Sequence, residues 1–272
     1  MTDRDQELQE SLLVVSVIVP TVRLDLDFVH AIESLRAQTL VGMEIVIVLD
    51  GVEDERRVIP DDPRISVVRL TERVGTPRAL NAGVRVAAAP LIARLDADDV
   101  AEPDRLARQV AVFRANPNLV LLGSAATLIN ADGDAIGNYA VPVEDVTAAL
   151  LRRNPFIHSS VMMRRGALEQ AGGYDERCNR MQDYELWLRL AQLGTVANLP
   201  DRLVSYRVHP GQHSRRTPAF GPAATAVRAS RMQLARTLGR NALMQHVDNA
   251  AWTAAQVSRS FQLRRPRYLS HA

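Results

Sequence analysis

Residues 91–106 read LIARLDADDVAEPDRL and decide the fold, because they predict a buried strand followed by a helix. LIARL is an apolar run of strand length, and Pro103 fits the first turn of a helix that runs to about Ala115. Three acids, Asp96, Asp98 and Asp99, lie between the two elements within four positions. Like charges this close repel one another and destabilise the fold unless a cation binds. The stretch therefore predicts a cation site at a strand end.

The chain before this stretch alternates between apolar and amphipathic segments. Four runs rich in Val and Ile predict strands that are covered on both faces, at residues 14–19, 44–49, 65–70 and 91–95. Residues 27–37 and 77–88 have apolar residues every three or four positions, which predicts helices. Alternating strands and helices form a parallel sheet with right-handed crossovers. The predicted fold class is therefore α/β, a Rossmann-like, mostly parallel sheet flanked by helices.

The pattern changes after about residue 116. Asp132-Gly133 predicts a turn between strands, 145–152 a short helix, and HSSVMMRR (158–165) a further strand. MQDYELWLRLAQLG (181–194) predicts an amphipathic helix that ends at Gly194. Two short strands are expected after it, at 195–199 and 203–207. We place a catalytic domain at 1–214 and a partly helical extension, with one helix at 223–246, at 215–272.

Composition excludes several classes of protein. The single cysteine, Cys178, excludes a disulfide framework, and an aromatic content of 4% argues against a nucleic-acid stacking surface. No run approaches the roughly 18 apolar residues of a membrane span, and the polar N-terminus is unlike a secretory signal. We therefore expect a cytoplasmic protein that binds no nucleic acid.

The net charge of +2 is unevenly distributed along the chain. Residues 215–272 contain ten arginines and one acid, Asp248, which gives about +9 and leaves about −7 for the rest. A helix packed on the catalytic domain with solvated arginines explains this charge. The alternative is that residues 223–268, including RRPRY at 264–268, make a peripheral contact with an anionic membrane.

The acids at 96–99 suit a hard divalent cation. In open α/β sheets ligands bind beyond the carboxyl ends of the strands, which is where these acids lie. Carboxylate oxygens favour Mg²⁺ or Mn²⁺, and those ions combine few protein ligands with phosphate oxygens. A nucleoside diphosphate is therefore a natural companion. The alternative is an acidic helix start, which one acid explains but three exceed.

Seven motifs in order resemble family 2 glycosyltransferases of the GT-A fold. The resemblance covers roughly residues 14–214 and rests on VSVIVPT, QTLVGMEIVIVLDG, GTPRALNAGV, RLDADD, GGYDE, QDYELWLRL and YRVHPGQHS. It implies an inverting enzyme that moves a sugar from a nucleotide-sugar donor, with UDP as the expected nucleotide. The implied acceptor is a hydroxyl of a saccharide or lipid-linked acceptor, in bacterial envelope polysaccharide or glycoconjugate synthesis.

The resemblance also implies which residues hold the donor. They are Pro20, Thr21, Asp50, Arg78, Asn81, Asp96, Ala97 and Asp98. Asp96 and Asp98 match the DXD motif, in which the second acid binds Mn²⁺ or Mg²⁺ and the first faces the ribose. The family often has two acids before Gly51 where this chain has Leu49-Asp50, so a turn-forming Asp-Gly pair is the alternative for Asp50. For Arg78, a solvated helix face is equally consistent with the sequence.

The resemblance implies that Asp183 is the general base for the acceptor hydroxyl, although a helix cap is the alternative. Gln182 replaces the usual Glu and can still hydrogen-bond a hydroxyl. Trp187 fits packing better than sugar stacking. We expect His209, rather than His213, to be a metal ligand, the alternative being an ordinary loop residue. The residues expected at the loop between acceptor and donor are His158, Gly173, Tyr174 and Gln182. A hydrogen-bonded structural histidine is equally consistent with His158, and turn formation alone would also explain the glycines.

Two other functions remain open from the sequence. A sugar-1-phosphate nucleotidyltransferase also has an α/β nucleotide site, but such enzymes usually carry a Gly-rich basic loop that VIVPTVRLD lacks. A non-catalytic nucleotide-sugar-binding relative is the other alternative, because Gln182 departs from the usual catalytic pair.

Overall fold

Four parallel strands form the first half of the sheet in the computed structural model, which describes residues 12–52, 58–209 and 219–261. They are β1 (Val15–Thr21), β2 (Met43–Asp50), β3 (Ile65–Leu70) and β4 (Leu91–Arg94). Their spatial order is β3–β2–β1–β4. β1 and β2 are buried along almost their whole length, as both-face coverage requires. The predicted parallel α/β arrangement is confirmed.

Three helices cover both faces of these strands. They are α1 (Leu26–Arg36), α2 (Thr76–Val86) and α3 (Arg105–Ala115). Successive strand residues point to opposite faces, so Val17 packs with α1 and α3 whereas Ile18 packs with α2. The predicted start of α3 is wrong by two residues. Pro103 lies in the turn before α3 because its carbonyl accepts a hydrogen bond from the N–H of Thr39.

The second half of the sheet mixes strand directions. It contains β5 (Val100–Ala101), β6 (Leu119–Ile129), β7 (Ala135–Tyr139), β8 (Met162–Arg164) and β9 (Thr195–Arg207). Within the described ranges the order continues β4–β8–β6–β9–β5, with β7 paired to β6. β8 is antiparallel to both β4 and β6, whereas β6 and β9 are parallel. Strand β5 was not predicted from the sequence, because two residues give no periodicity.

Two strand predictions in this half need correction. The strand expected at 158–165 begins only at Met162, since His158–Ser160 form one turn of 3-10 helix. The Ser160 hydroxyl stabilises that turn by donating to the carbonyls of Ser124 and Ile157. The two strands expected at 195–199 and 203–207 are one strand, β9. Leu199 pairs with Ser124 and Arg202 with Ala125, so the two residues between them form a bulge.

Five further helices complete the described structure: α4 (Val146–Leu150), α5 (Arg165–Gln170), α6 (Gln182–Leu190), α7 (Pro222–Thr237) and α8 (Ala242–Phe261). The single helix predicted at 223–246 is wrong. Gly239, with φ of +65°, ends α7, and the Asn241 side chain accepts a hydrogen bond from the N–H of Leu243 to start α8. None of the helices in the described part of the chain combines the length and apolarity that a membrane crossing requires.

The two C-terminal helices pack against α6. Ala224, Val227 and Leu234 of α7 are fully buried in the same core as Trp187. The Ser230 hydroxyl donates to Glu185 on α6 at 2.9 Å, and the buried Arg231 guanidinium donates to the carbonyl of Leu151. Arg231 was expected among the solvated arginines of this helix, and that expectation is wrong, because its guanidinium satisfies a carbonyl inside the fold. Residues 264–268 lie outside the described residues.

Candidate active site

The three acids converge at the carboxyl end of β4. Asp96, Asp98 and Asp99 each offer an oxygen atom, and these atoms lie within 4.8 Å of one another. Asp99 is 1% exposed, whereas Asp96 and Asp98 are half-buried and reach the solvent. The cluster predicted from residues 96–99 is therefore formed, with two of its three members accessible to a ligand.

Asp96 is held by two residues that the sequence did not single out. The buried Arg94 guanidinium forms an ion pair with it, and the Ser159 hydroxyl donates to its second oxygen at 3.1 Å. Burial raises the pKa of Asp96, but the charge and hydrogen bond of Arg94 outweigh that effect and lower the pKa to about 2. Asp96 is therefore a fixed anion. The sequence signal for Arg94 was its position as a charged residue inside the otherwise apolar strand β4.

Asp98 faces His209, which follows the end of β9. The His209 Nε2 lies 3.1 Å from the Asp98 Oδ2, and both side chains are about one quarter exposed. Burial raises the pKa of Asp98, and the negative charge of Asp96 raises it further. A carboxylate and an imidazole on adjoining strand ends are a suitable donor set for Mn²⁺ beside a diphosphate, whereas Mg²⁺ would use the carboxylate oxygen. Residue 213, the other histidine considered, lies outside the described residues.

Asp99 links two strand ends instead of facing the solvent. Its Oδ1 accepts the backbone N–H of Arg207 at 2.7 Å. The Arg207 guanidinium donates to the carbonyls of Asp98, Asn130 and Ala131, each at 2.9 Å. Burial, followed by the charges of Asp96 and Asp98, raises the pKa of Asp99 well above its usual value. These contacts fix the loop that carries Asp98.

Three of the residues expected to hold the donor lie at neighbouring strand ends. Pro20 and Thr21 end β1 beside β2, which ends at Asp50. The buried Asp50 carboxylate accepts the backbone N–H groups of Val74 at 2.6 Å and of Gly75 at 3.0 Å. Asp50 therefore anchors the turn before α2, a contact that its sequence position did not reveal.

Arg78 and Asn81 join α2 to the loop at 172–176. The exposed Arg78 forms an ion pair with Glu176 at 3.1 Å. The Asn81 side chain accepts the N–H of Tyr174 and donates to its carbonyl, both at 2.9 Å. Gly173 has a φ of +71°, and a Cβ there would approach the Asn81 Oδ1 to 2.8 Å. Asn81 thus holds the backbone of the glycine loop.

Asp183 lies in the first turn of α6, next to the half-buried Gln182. The Asn154 side-chain amide donates to the Asp183 Oδ2 at 2.7 Å. Burial raises the pKa of Asp183, while hydrogen bonds from the Tyr184 N–H and from Asn154 act against the increase. A carboxylate that is more basic than usual is suited to accept a proton. Sequence reasoning missed Asn154, 29 positions earlier.

An aromatic cluster borders these groups. The His158 Nε2 lies 3.0 Å from the Tyr174 hydroxyl, and both rings contact Trp187 edge-on. Burial, with the charge of Arg94, lowers the pKa of His158 well below its usual value, so His158 is neutral. Trp187 is fully buried, which confirms packing as its role. Burial raises the pKa of Tyr174 well above its usual value.

Arg94 shows which predicted residues come together. Its charge acts on the titration of Asp96, His158, Tyr174 and Asp183. The first DXD acid, the predicted base and two of the predicted acceptor residues, His158 and Tyr174, therefore lie within electrostatic range of one buried guanidinium. Asp98 and Ser159 adjoin Asp96, His209 adjoins Asp98, and Ala97 lies between the two acids in the chain.

Comparison with known proteins agrees with this geometry. The family model described as Glycosyl transferase family 2 matches residues 16–170. The chain is 33% identical over 189 residues to the amylovoran biosynthesis glycosyltransferase AmsE of Erwinia amylovora, covering 65% of this chain and 69% of that protein. It is 30% identical over 205 residues to the O-antigen biosynthesis glycosyltransferase WbnJ of Escherichia coli, covering 72% and 80%.

A solved structure shows the same fold. S. aureus TarS 1-349 in complex with UDP-GlcNAc superposes with a TM-score of 0.63 at 16% identity, covering 92% of this chain and 73% of that chain. The family match, the two relatives and this fold agree with one another. The chain therefore belongs to glycosyl transferase family 2 and is a glycosyltransferase of the GT-A fold.

Proposed function

We propose that this enzyme is a metal-dependent, inverting glycosyltransferase that moves a sugar from a UDP-sugar to a hydroxyl of a saccharide or lipid-linked acceptor. The observation that carries the proposal is the Asp98–His209 pair, 3.1 Å apart, beside the Asp96 carboxylate, together with Arg94, whose charge acts on both Asp96 and Asp183. The names of two relatives, for amylovoran and O-antigen biosynthesis, support envelope polysaccharide or glycoconjugate as the product. The UDP-GlcNAc complex of TarS supports the donor class.

The donor side uses groups that are fixed before a ligand arrives. Asp98 and His209 would hold Mn²⁺ or Mg²⁺, which would neutralise the charge that develops on the departing diphosphate. Asp96, oriented by Arg94 and Ser159, presents a carboxylate oxygen to the ribose hydroxyls. Pro20, Thr21 and Asp50 form the nucleobase side in this proposal, with the backbone of Ala97 beside the diphosphate.

The acceptor side depends on Asp183. Its carboxylate takes the proton from the acceptor hydroxyl as that oxygen attacks the anomeric carbon opposite the leaving diphosphate. Asn154 fixes one carboxylate oxygen, which leaves the other for the incoming proton. Gln182 is placed to hydrogen-bond a sugar hydroxyl, and neutral His158 with Tyr174 borders the acceptor. A direct displacement of this kind inverts the anomeric configuration.

We also propose a cytoplasmic location with a peripheral contact at the inner face of the cell membrane, made by residues 223–268 of the extension at 215–272. The charge of about +9 on that extension supports the contact, because anionic lipids attract clustered arginines. A lipid-linked acceptor would be presented at the same surface.

Product analysis tests the reaction class. With UDP-sugars, Mn²⁺ and an acceptor mixture, we expect release of UDP and transfer of the sugar. Release of pyrophosphate from a nucleoside triphosphate and a sugar phosphate would instead show a nucleotidyltransferase. Nucleotide-sugar binding without any turnover would show a non-catalytic relative. Either of those outcomes would contradict the proposal.

A further inference from the structure

Helix α8 presents an apolar side to the solvent. Leu243, Met244 and Val247 are 72%, 59% and 55% exposed. Ala250, Ala251 and Ala254 continue the same exposed side along the helix. These six residues define the α8 surface. Their spacing of three and four positions places them on one stripe about three turns long.

The opposite side of α8 is polar and buried. Gln245, Asn249 and Gln256 are 1%, 7% and 4% exposed. Trp252 is the one apolar side chain among the four buried residues in the described part of this helix. Gln245 donates to the carbonyl of Leu151 at 3.4 Å, and Asn249 to the carbonyl of Arg228 at 3.5 Å. A helix on the surface of a water-soluble domain has the reverse arrangement, with its apolar side inward. The sequence of α8 therefore favours an apolar environment on its outer side.

The apolar area extends beyond the helix itself. A groove between α7 and α8 is lined by the apolar residues Phe220, Ala250, Ala254 and Val257, and Arg228, Thr253 and Ser258 complete its lining. Phe220 is 68% exposed. Contiguous exposed apolar side chains of this extent mark an interaction surface, since scattered ones would not share a stripe and a groove.

Charge identifies the occupant. Apart from the buried Arg231, residues 219–272 contain seven arginines and one acid, Asp248. A second copy of the chain would bring the same positive charge to the contact and would be repelled. An anionic bilayer offers both an apolar interior boundary for the stripe and negative head groups for the arginines.

We propose that the α8 surface docks on a bilayer of anionic phospholipid and inserts its apolar side chains at the head-group boundary. This inference rests on the membrane location proposed above and assigns it to a defined helix face. It replaces a purely electrostatic contact with one in which apolar burial and charge act together. Binding should therefore persist in part at a physiological ionic strength of about 0.15 M, where surface attraction alone is strongly screened.

Vesicle co-sedimentation of the full chain tests the docking surface. The probes are vesicles of equal parts phosphatidylglycerol and phosphatidylcholine, and vesicles of phosphatidylcholine alone. We expect wild-type binding to the anionic vesicles and about tenfold weaker binding for Val247→Glu and for Met244→Glu, because each removes an apolar side chain from the boundary. Val41→Glu is the matched control, since Val41 is 72% exposed far from α8 in sequence and should bind like the wild type.

Three results would overturn the inference. The first is unchanged binding of both α8 variants, and the second is equal wild-type binding to both kinds of vesicle. The third is a wild-type dimer in sedimentation velocity that Val247→Glu dissociates, which would show that a second copy covers the surface. UDP release in solution should be equal in Val247→Glu and wild type. If the wild type released no UDP from UDP-sugars but still bound the anionic vesicles, the proposed reaction would be contradicted and the docking surface would stand.

Discussion

Asp183 experiences two opposing influences, and its chemistry depends on their balance. Burial raises the pKa of its carboxyl group, whereas the Asn154 amide stabilises the carboxylate through a 2.7 Å hydrogen bond. The result is a base that holds a proton more firmly than a solvated Asp. Single substitutions at Asp183 and at Asn154 test the base and the hydrogen bond separately.

Replacing Asp183 by Asn keeps the size of the side chain and removes the basic oxygen. We expect turnover to fall by roughly 10²-fold or more, as is typical when a general base is lost, with the affinity for UDP little changed. Steady-state kinetics and calorimetry measure the two quantities. A parallel loss of UDP affinity would show that Asp183 binds the donor or maintains the fold.

Replacing Asn154 by Ala removes a donor that favours the charged form of Asp183. The pKa of Asp183 should then rise further, so the acid limb of the kcat/KM profile should move to higher pH. At neutral pH the loss of activity should be smaller than for Asp183→Asn. Asn116→Ala, at the end of α3 and outside this contact, is the control. An acid limb that does not move in Asn154→Ala would show that Asn154 does not act through Asp183.

The sequence revealed the residues that carry charge and missed those that orient them. Asp96, Asp98 and Asp183 were predicted because acids at a strand end and a helix start form recognisable motifs. Asn154 and Ser159 act on Asp183 and Asp96 from 29 and 63 positions away. No local pattern encodes such pairs, because one contact forms only when α6 packs beside Asn154 and the other only when the 3-10 turn packs beside the end of β4.

At the scale of elements, the glycine loop depends on its contact with α2. Both Gly172 and Gly173 have a positive φ, of +83° and +71°. A Cβ on Gly172 would meet no atom within 4 Å, whereas one on Gly173 would meet the Asn81 Oδ1 at 2.8 Å. The two positions therefore share backbone strain but differ in the clash.

Substituting Ala at each glycine separates these effects. Gly172→Ala should cost about 1 kcal/mol of unfolding free energy, the usual penalty for a left-handed non-glycine residue. Gly173→Ala should cost about 2–3 kcal/mol, because Asn81 and the Tyr174 backbone must also shift. Urea denaturation of the two variants gives the comparison. Equal losses would contradict the role of the Asn81 contact.

The main elements were readable from the sequence because their signals are local. Val- and Ile-rich runs gave the four parallel strands, and period-3.6 patterns gave α1 and α2. The bulge in β9 and the 3-10 turn at His158–Ser160 were not readable. Both result from pairing with β6 and from the Ser160 contacts to Ser124 and Ile157, which are tertiary.

For the molecule as a whole, the C-terminal helices are part of the core. Leu234 is fully buried, whereas Leu238, one turn later, is 46% exposed because α7 ends at Thr237. The single helix predicted from the sequence at 223–246 would run through both residues. The local signals for the break are Gly239, which ends α7, and Asn241, which caps α8.

These two leucines form a matched pair for testing the packing. Leu234→Ala should lower the unfolding free energy by about 2–5 kcal/mol, the range for deleting a buried leucine side chain. Leu238→Ala should change it by less than about 0.5 kcal/mol, as surface substitutions usually do. Thermal or urea unfolding measures both. Similar effects in the two variants would contradict the packing of α7 against α6.

The central claim is that Asp98 and His209 hold the metal through which a UDP-sugar donor binds. Calorimetric titration of UDP tests this claim most directly. Three titrations are compared: the wild-type enzyme with Mn²⁺, the wild-type enzyme with excess chelator, and the Asp98→Asn variant with Mn²⁺. Because metal and carboxylate are both required, we predict binding with Mn²⁺ and an affinity at least about tenfold weaker in each of the other two titrations. Equal UDP affinity in all three titrations, or the absence of UDP binding in every one, would contradict the account.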